Sequence, residues 1–411
     1  MDERDHDLVI IGGGIGGSAL ATVMQRAGHS CLVLERSTEF PDRTKGEWIA
    51  PWGVVEAERL GVRDDLATAR GHVLRRHIGY DETRDPAEAE GGALDLALRP
   101  GVDGPMTQRH PDACQVLLDA AVAAGAEVHR GVERVAVTID DGRPSVTYAV
   151  DGGDHVARGR LVVGADGRNS VVRRGVGFEL HRDPPHHLFS GLLVDGADGW
   201  PEDVQIAGAE GDVHFLAFPQ GAGRVRLYLG FGLDQRHRLS GADGPAEFIR
   251  TFDLDSVPES AALAGATPIS PCATYANEDA WVDVPVRDGV VLIGDAAGWN
   301  DPITGQGLSI TLRDVRIVSE LLLASSDWSA DALTAYTEER RERLRRLRFA
   351  AQVQSALYNE FTPEARARRI RAHARFAEDP MLMMTLLSVM VGPEVPAPEH
   401  FGEEARERIL G

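Results

Sequence analysis

The sequence predicts an α/β protein: a Rossmann-like parallel sheet, an inserted mixed or antiparallel β-sheet, and a helical C-terminus. Three observations carry this. The chain opens with an apolar strand that runs into Gly12-Gly13-Gly14-Ile15-Gly16-Gly17 and then a helix. Far downstream, a second buried strand ends in Gly294-Asp295 and is followed by another glycine turn, Pro302-Ile303-Thr304-Gly305-Gln306-Gly307. Between them, residues 181–269 read as short strands joined by glycine turns, with no long helices to cover a parallel sheet.

Asp7-Leu8-Val9-Ile10-Ile11 is the β-branched run of a buried parallel strand. Gly12 permits a tight turn, Gly14 lets the backbone approach a pyrophosphate, and Gly17 lets helix and strand pack closely. Ile15 and Gly16 belong to the same turn. Its N–H groups and the positive helix end favour phosphate by about 0.3–1 kcal/mol when exposed, and up to about 2 when partly buried. The next strand, Cys31-Leu32-Val33-Leu34, ends at Glu35, about 20 residues past the glycines, where a carboxylate accepts hydrogen bonds from a ribose diol. Arg36 follows as a further candidate contact.

Two later segments repeat the theme. Leu161-Val162-Val163-Gly164 is a strand leading to Asp166-Gly167 and a helix start, with Ser170 in reach as a first-turn polar group. Val290-Val291-Leu292-Ile293 delivers Asp295 at a strand's carboxyl end, where ligands sit in open α/β sheets. Two glycine turns so far apart suit a long dinucleotide gripped at both ends, which points to FAD and redox chemistry.

In these motifs the chain resembles the single-component FAD-dependent monooxygenases of the aromatic-hydroxylase type, with a para-hydroxybenzoate hydroxylase-like fold. The resemblance implies that the first turn and Glu35 bind the ADP half of FAD. It implies that Gly164–Ser170 with Arg173 serves FAD and NAD(P)H, that Asp295 binds ribose or ribityl, and that Pro302, Gly305, Gln306 and Gly307 cup the isoalloxazine. Arg109 matches the family's FAD-phosphate arginine, just before a predicted helix over 111–124. Lys45, the chain's single lysine, lies in the loop that runs past the flavin in relatives, which more often carry arginine there. The implied reaction takes NADPH (or NADH) and dioxygen, adds oxygen at flavin C4a, and hydroxylates an aromatic or polyketide-type small molecule. Epoxidation is an alternative, and so is a geranylgeranyl-type prenyl-lipid reductase, which shares the Gly-Asp-Ala-Ala-Gly segment. A non-catalytic FAD-holding relative is a third class. Halogenation is disfavoured, because halogenases carry Trp-x-Trp-x-Ile-Pro where this chain reads His214-Phe215-Leu216-Ala217-Phe218-Pro219.

The implied FAD-binding domain is discontinuous, over 1–75, 100–180 and 270–340. Residues 76–99 and 181–269 form the substrate-binding sheet that roofs the flavin, and 341–411 a C-terminal helical segment. Strand alternation puts His214, Leu216 and Phe218 on one side, opposite Val213, Phe215 and Ala217. His214 and Tyr228 are candidate bases, Lys45 a candidate for catalysis and for contact with cofactor, Leu216 and Phe218 candidate pocket residues, and Trp48 and Trp52 candidate aromatic walls. The arginine-dense stretch 330–350 reads as a solvated helix with acidic partners. No metal is expected: His186-His187 fits no zinc spacing, and the three cysteines fit neither a disulfide framework nor a zinc site. A formal charge of −21 argues against nucleic acid and anionic membrane as partners. The acidic start and the lack of a long apolar run predict a cytoplasmic protein without a membrane span. Oligomeric state is left open.

Overall fold

Five parallel strands bring the apolar runs of the sequence to one common edge. The computed structural model describes residues 3–42, 44, 46–140 and 143–411. Its main strands, in chain order, are β1 (Glu3–Ile11), β2 (Cys31–Glu35), β3 (Arg76–Asp81), β4 (Glu127–Arg130), β5 (Gly153–Gly164), β6 (His187–Asp195), β7 (Val204–Glu210), β8 (Val213–Pro219), β9 (Val225–Phe231), β10 (Ala273–Asn277) and β11 (Val290–Leu292). The helices that matter most for the site are α1 (Ile15–Arg26), α2 (His110–Ala123), α3 (Gly307–Ala324) and α4 (Thr334–Tyr358).

The parallel sheet runs β11-β5-β1-β2-β4. Its register sets Leu292, Gly164, Ile11 and Leu34 side by side. Each strand is followed by its motif, so Gly294-Asp295, Asp166, Gly12 and Glu35 all hang over the same edge. The reason is burial on both faces. Leu8 and Ile10 pack with Leu20, Leu117 and Leu312, while Val9 and Ile11 pack with Val146, Val172 and Leu292. A strand apolar on both sides is stable only between two covered layers.

The second sheet runs β10-β6-β9-β8-β7-β3, antiparallel except where β3 joins β7. Leu192, Ile206, Phe215, Leu227 and Leu229 from one face form a core with Phe248, Phe252 and Leu263. The opposite face presents Phe189, Leu216, Phe218 and Tyr228 toward Ile303 and Ala351. Period-two alternation therefore holds as expected for β8.

Two boundaries differ from the sequence expectation. Ala273–Asn277, assigned above to the 270–340 block, pairs along β6 as part of the roof sheet. That pairing satisfies backbone groups that an open β6 edge would leave bare. The long helix α4 begins at Thr334, ahead of the boundary at 341, and it is not simply solvated: Arg340 and Arg343 are buried. Among the described residues no helix is long and apolar enough to cross a membrane.

Candidate functional site

The first glycine turn is built by close approach. Gly12 sits at φ +102°, and a Cβ there would collide with the Ala165 carbonyl and lie 2.9 Å from Asp166 Cα. A side chain is therefore excluded twice, by conformation and by space. At Gly17 a Cβ would strike the Gly12 carbonyl, and at Gly16 it would lie 2.8 Å from Thr311 of α3. The first turn thus leans on the helix that follows the second. Ile15 is buried beneath it. Gly14, by contrast, has no atom within 4 Å of a would-be Cβ, and no side chain caps α1. That leaves open space in front of first-turn N–H groups, which suits an anion. Glu35 is pinned at the turn: its carboxylate accepts hydrogen bonds from Gly13 N and Ser37 N, both at 2.7 Å. Arg36 points outward and is exposed.

Asp166 serves the neighbouring helix, Val171–Val176, by accepting from Val171 N at 2.6 Å and Val172 N at 3.3 Å. Its other oxygen is buried without a hydrogen-bond partner, and burial pushes the carboxyl above its usual range. Arg168 donates to Asp295 at 3.2 Å, and Arg173 donates to Ala296 O at 2.9 Å. The second and third motifs are therefore tied together at the sheet edge.

A buried charge cluster, which the sequence reading missed, holds the Gly294 turn from behind. Asp314 on α3 accepts from Gly294 N at 2.8 Å and from Arg343 at 2.7 Å. Arg340 donates to Asp314 at 3.1 Å, to Ala297 O at 3.0 Å, and to the carbonyls of Gly294 and Gly298 at 3.2 Å each. Against the penalty of burial, Arg340 and Arg343 hold the Asp314 carboxyl below its usual range. Charges this deep persist only when paired and hydrogen-bonded. The available signal was the spacing: Arg340 and Arg343 stand three apart, on one helical face.

The second glycine turn starts with Asp301, whose side chain caps Ile303 N at 2.9 Å. Gly305 lies at φ +66°, and a Cβ would approach the Trp48 ring to 3.0 Å. Pro302 precedes this contact, and Gly307 opens α3 into free space. Gln306 does not face outward. It is buried, accepts from Trp52 Nε1 at 2.9 Å and donates to Thr304 O, so its side chain braces the turn. Trp52 is correspondingly core, not an exposed wall. Trp48 lies beside the roof face: its ring is 6.1 Å from Phe218, and its Nε1 donates to Gln205 at 2.9 Å. Arg109 stands just before α2, one-third exposed, and donates to Asp42 at 3.1 Å. Lys45 lies outside the described residues.

On the roof face, Leu216, Phe218 and Tyr228 cluster with Phe189 and Tyr275, and burial pushes the Tyr228 phenol well above its usual range. His214 shares that face but is enclosed. Its ring stacks on Tyr358 at 5.7 Å and lies 3.2 Å from the Asn359 amide, and burial holds it down to about 3. Two residues before Tyr228, Arg226 makes a two-pronged pair with Glu47, one bond at 2.8 Å, both side chains buried. Arg226 shares a strand face with Tyr228, as alternation required, but its partner lies across the fold. His186 and His187, read as fitting no metal spacing, meet Asp301 from a distant part of the chain.

These residues fit a dinucleotide: the open space at Gly14 and Gly307, the unpartnered oxygen of Asp166, and the carboxylate of Glu35 all face one sheet edge. A family model described as FAD binding domain matches residues 5–350. Digeranylgeranylglycerophospholipid reductase 1 of Methanopyrus kandleri is 27% identical over 359 residues, covering 83% of this chain and 87% of that protein. Squalene epoxidase 3 of Arabidopsis thaliana is 24% identical over 348 residues, covering 81% of this chain and 63% of that protein. Among solved structures, p-nitrophenol 4-monooxygenase PnpA from Pseudomonas putida DLL-E4 superimposes with a TM-score of 0.78 at 19% identity, covering 95% of this chain and 99% of that one. At that identity the likeness carries the fold alone, which is para-hydroxybenzoate hydroxylase-like. With the family match spanning all three motifs, the chain belongs to the FAD-binding-domain family and is an FAD-dependent oxidoreductase.

Proposed function

We propose that the protein is a flavin-dependent monooxygenase that uses NAD(P)H and dioxygen to hydroxylate an aromatic or polyketide-type small molecule. The observation that carries this reading is the face opposite the Pro302–Gly305 turn. It is made of Phe189, Leu216, Phe218, Tyr228 and Tyr275, with Trp48 at its edge and Ile303 below. Flat rings pack on such a surface through offset and edge contacts worth about 0.5–1.5 kcal/mol beyond area burial.

FAD, when bound, supplies hydride acceptance and oxygen activation. The chain's own work is binding, orientation and exclusion of water. The backbone of Gly12–Gly17 and the Glu35 carboxylate would hold the adenosine half, Arg109 the phosphates, and Asp295 the ribityl chain. Pro302, Gly305 and Gly307 would lie along the ring. Tyr228 would orient a substrate oxygen by a hydrogen bond, beside the fixed charges of Arg226 and Glu47.

Oxygen uptake with NADPH against phenolic and polyketide substrates, with product mass under labelled dioxygen, tests the reading. Gain of one labelled oxygen atom supports it. NADPH consumption with no substrate-stimulated uptake across the panel contradicts it. A second reading, reduction of a prenyl lipid, is favoured by the 27% identity to the Methanopyrus reductase. Anaerobic turnover separates the two: a reductase proceeds without dioxygen, whereas an oxygenase stalls. An epoxide and a hydroxylated ring gain the same mass, so the proton NMR spectrum of the product distinguishes them.

A further inference from the structure

At the junction of the roof sheet, the second glycine turn and α4, two adjacent histidines meet a carboxylate. His187 and Asp301 are fully buried, whereas the His186 side chain is 36% exposed. The Nδ1 atoms of the two rings lie 2.8 Å apart, so one of them donates a proton to the other. His186 Nε2 stands 3.3 Å from Asp301 Oδ2. That oxygen is buried with no aligned hydrogen bond, while Asp301 Oδ1 is occupied by its cap on Ile303 N. Behind the pair, His187 Nε2 is held by the Asn277 amide at 2.9 Å, and Ser355 Oγ lies 3.3–3.4 Å from both Nδ1 atoms.

Both readings of the function consume one proton per turnover: NADPH gives a hydride, and the balance of water or of a saturated product takes H⁺ from solvent. A site closed to bulk water needs a conduit for it. We propose that His186 and Asp301 form that conduit, with His186 taking the proton from solvent and Asp301 holding it at the base of the Pro302–Gly305 turn. This rests on the flavin reading above.

The step balances within the pair. His186 starts with its Nδ1–H donated to His187 Nδ1 and its Nε2 bare. A hydronium O–H bond breaks as an N–H bond forms at Nε2, leaving water and a protonated imidazole. That N–H bond then breaks as an O–H bond forms on the Asp301 Oδ2 carboxylate, 3.3 Å away, and the ring is back in its starting tautomer. Asp301 then releases the proton to the reacting site. The surroundings favour a neutral acid. Burial, with Asp279 and Glu278 nearby, pushes the Asp301 carboxyl well above its usual range, opposed by Arg168. Burial lowers His186 against Asp183, Glu278 and Glu360, and burial with His186 and His214 lowers His187 to about 2. His187 is a positioning residue in this scheme.

The test compares His186→Ala and Asp301→Asn holoenzymes with the parent. Asp301→Asn keeps an oxygen for the Ile303 cap but carries no exchangeable acid. The expected result is a fall in kcat of roughly 10²-fold in each, in line with a lost proton-transfer group, with KM and bound FAD unchanged. Imidazole added to His186→Ala restores kcat and its solvent deuterium isotope effect, and does nothing for Asp301→Asn. Unchanged kcat, or a His186→Ala loss that imidazole leaves untouched, overturns the relay. Bound FAD is measured in the same samples, so a parent protein that retains no flavin counts against the flavin reading itself.

Discussion

In the proposed function, the edge of the parallel sheet and the inner face of the roof sheet would bind by different means. At the edge, backbone does the gripping. Four strand ends stand in register, and glycine is required where a side chain would collide, as at Gly12 against Ala165. On the roof, side chains do it: Phe189, Leu216 and Tyr228 come from three strands, Trp48 from the two-residue strand Trp48–Ile49 and Ile303 from the second glycine turn. A backbone grip tolerates no change in conformation but is written locally. A side-chain face tolerates substitution and can be retuned for new substrates.

The contrast is broken most severely at Gly12. Gly12→Ala places a Cβ at φ +102° and against the Ala165 carbonyl. Left-handed strain alone costs on the order of 1–3 kcal/mol, and the clash adds to it. Bound flavin per chain, read from visible absorbance, should fall by at least about tenfold. Arg340→Met comes next. It strips one donor from the buried Asp314 carboxylate, which keeps Arg343 and Gly294 N, and takes the Arg340 guanidinium from the carbonyls of Gly294, Ala297 and Gly298, for a loss of about 3–5 kcal/mol in urea unfolding, accompanied by weaker flavin retention.

Changes on the roof should be milder and should spare the flavin. Glu47→Gln keeps the hydrogen-bonding shape opposite Arg226 but removes the charge, for about 1.5–3 kcal/mol of stability and a raised substrate KM. Acid sharpens the same division. Burial holds His77 and His214 at about 4 and about 3, below the ordinary 6.5. Above 6.5 neither state is protonated at these rings and they cost nothing. As pH falls from 6.5 toward those values the unfolded chain takes up protons that the folded one refuses, so stability drops by up to about 1.4 kcal/mol per pH unit for each ring. Urea unfolding of His214→Gln across that range should lose one ring's share of the slope. The smallest effect belongs to Trp48→Phe, which keeps a ring against Gly305 but drops the hydrogen bond to Gln205. That is worth about 1 kcal/mol and is read as a several-fold rise in KM with unchanged flavin content.

This division also explains what was legible in the sequence. Gly12–Gly17, Glu35 and Gly294-Asp295 announced themselves because a strand, a turn and a helix start are contiguous in the chain. The alternation that put Leu216 and Phe218 on one face was equally local. Pairings between distant segments were not: Glu47 with Arg226, Asp314 with Arg340, and Asp301 with His186 are fixed only by how the sheets and α4 pack. The inward turn of the Gln306 side chain was hidden for the same reason, since the Trp52 that holds it belongs to another segment. The reading of the arginine-rich helix as solvated with acidic partners holds for Arg345, which is exposed and pairs with Glu342, but not for Arg340, because composition records charge and not the buried carbonyls that Arg340 reaches.

A crystal structure of the FAD-loaded protein tests the central claim most directly. The account predicts the pyrophosphate against the Gly12–Gly17 backbone, the ribose diol at Glu35, and the isoalloxazine between the Pro302–Gly307 turn and the Leu216–Tyr228 face. A flavin ring lying away from the aromatic face, or phosphates bound elsewhere than the first turn, would contradict it.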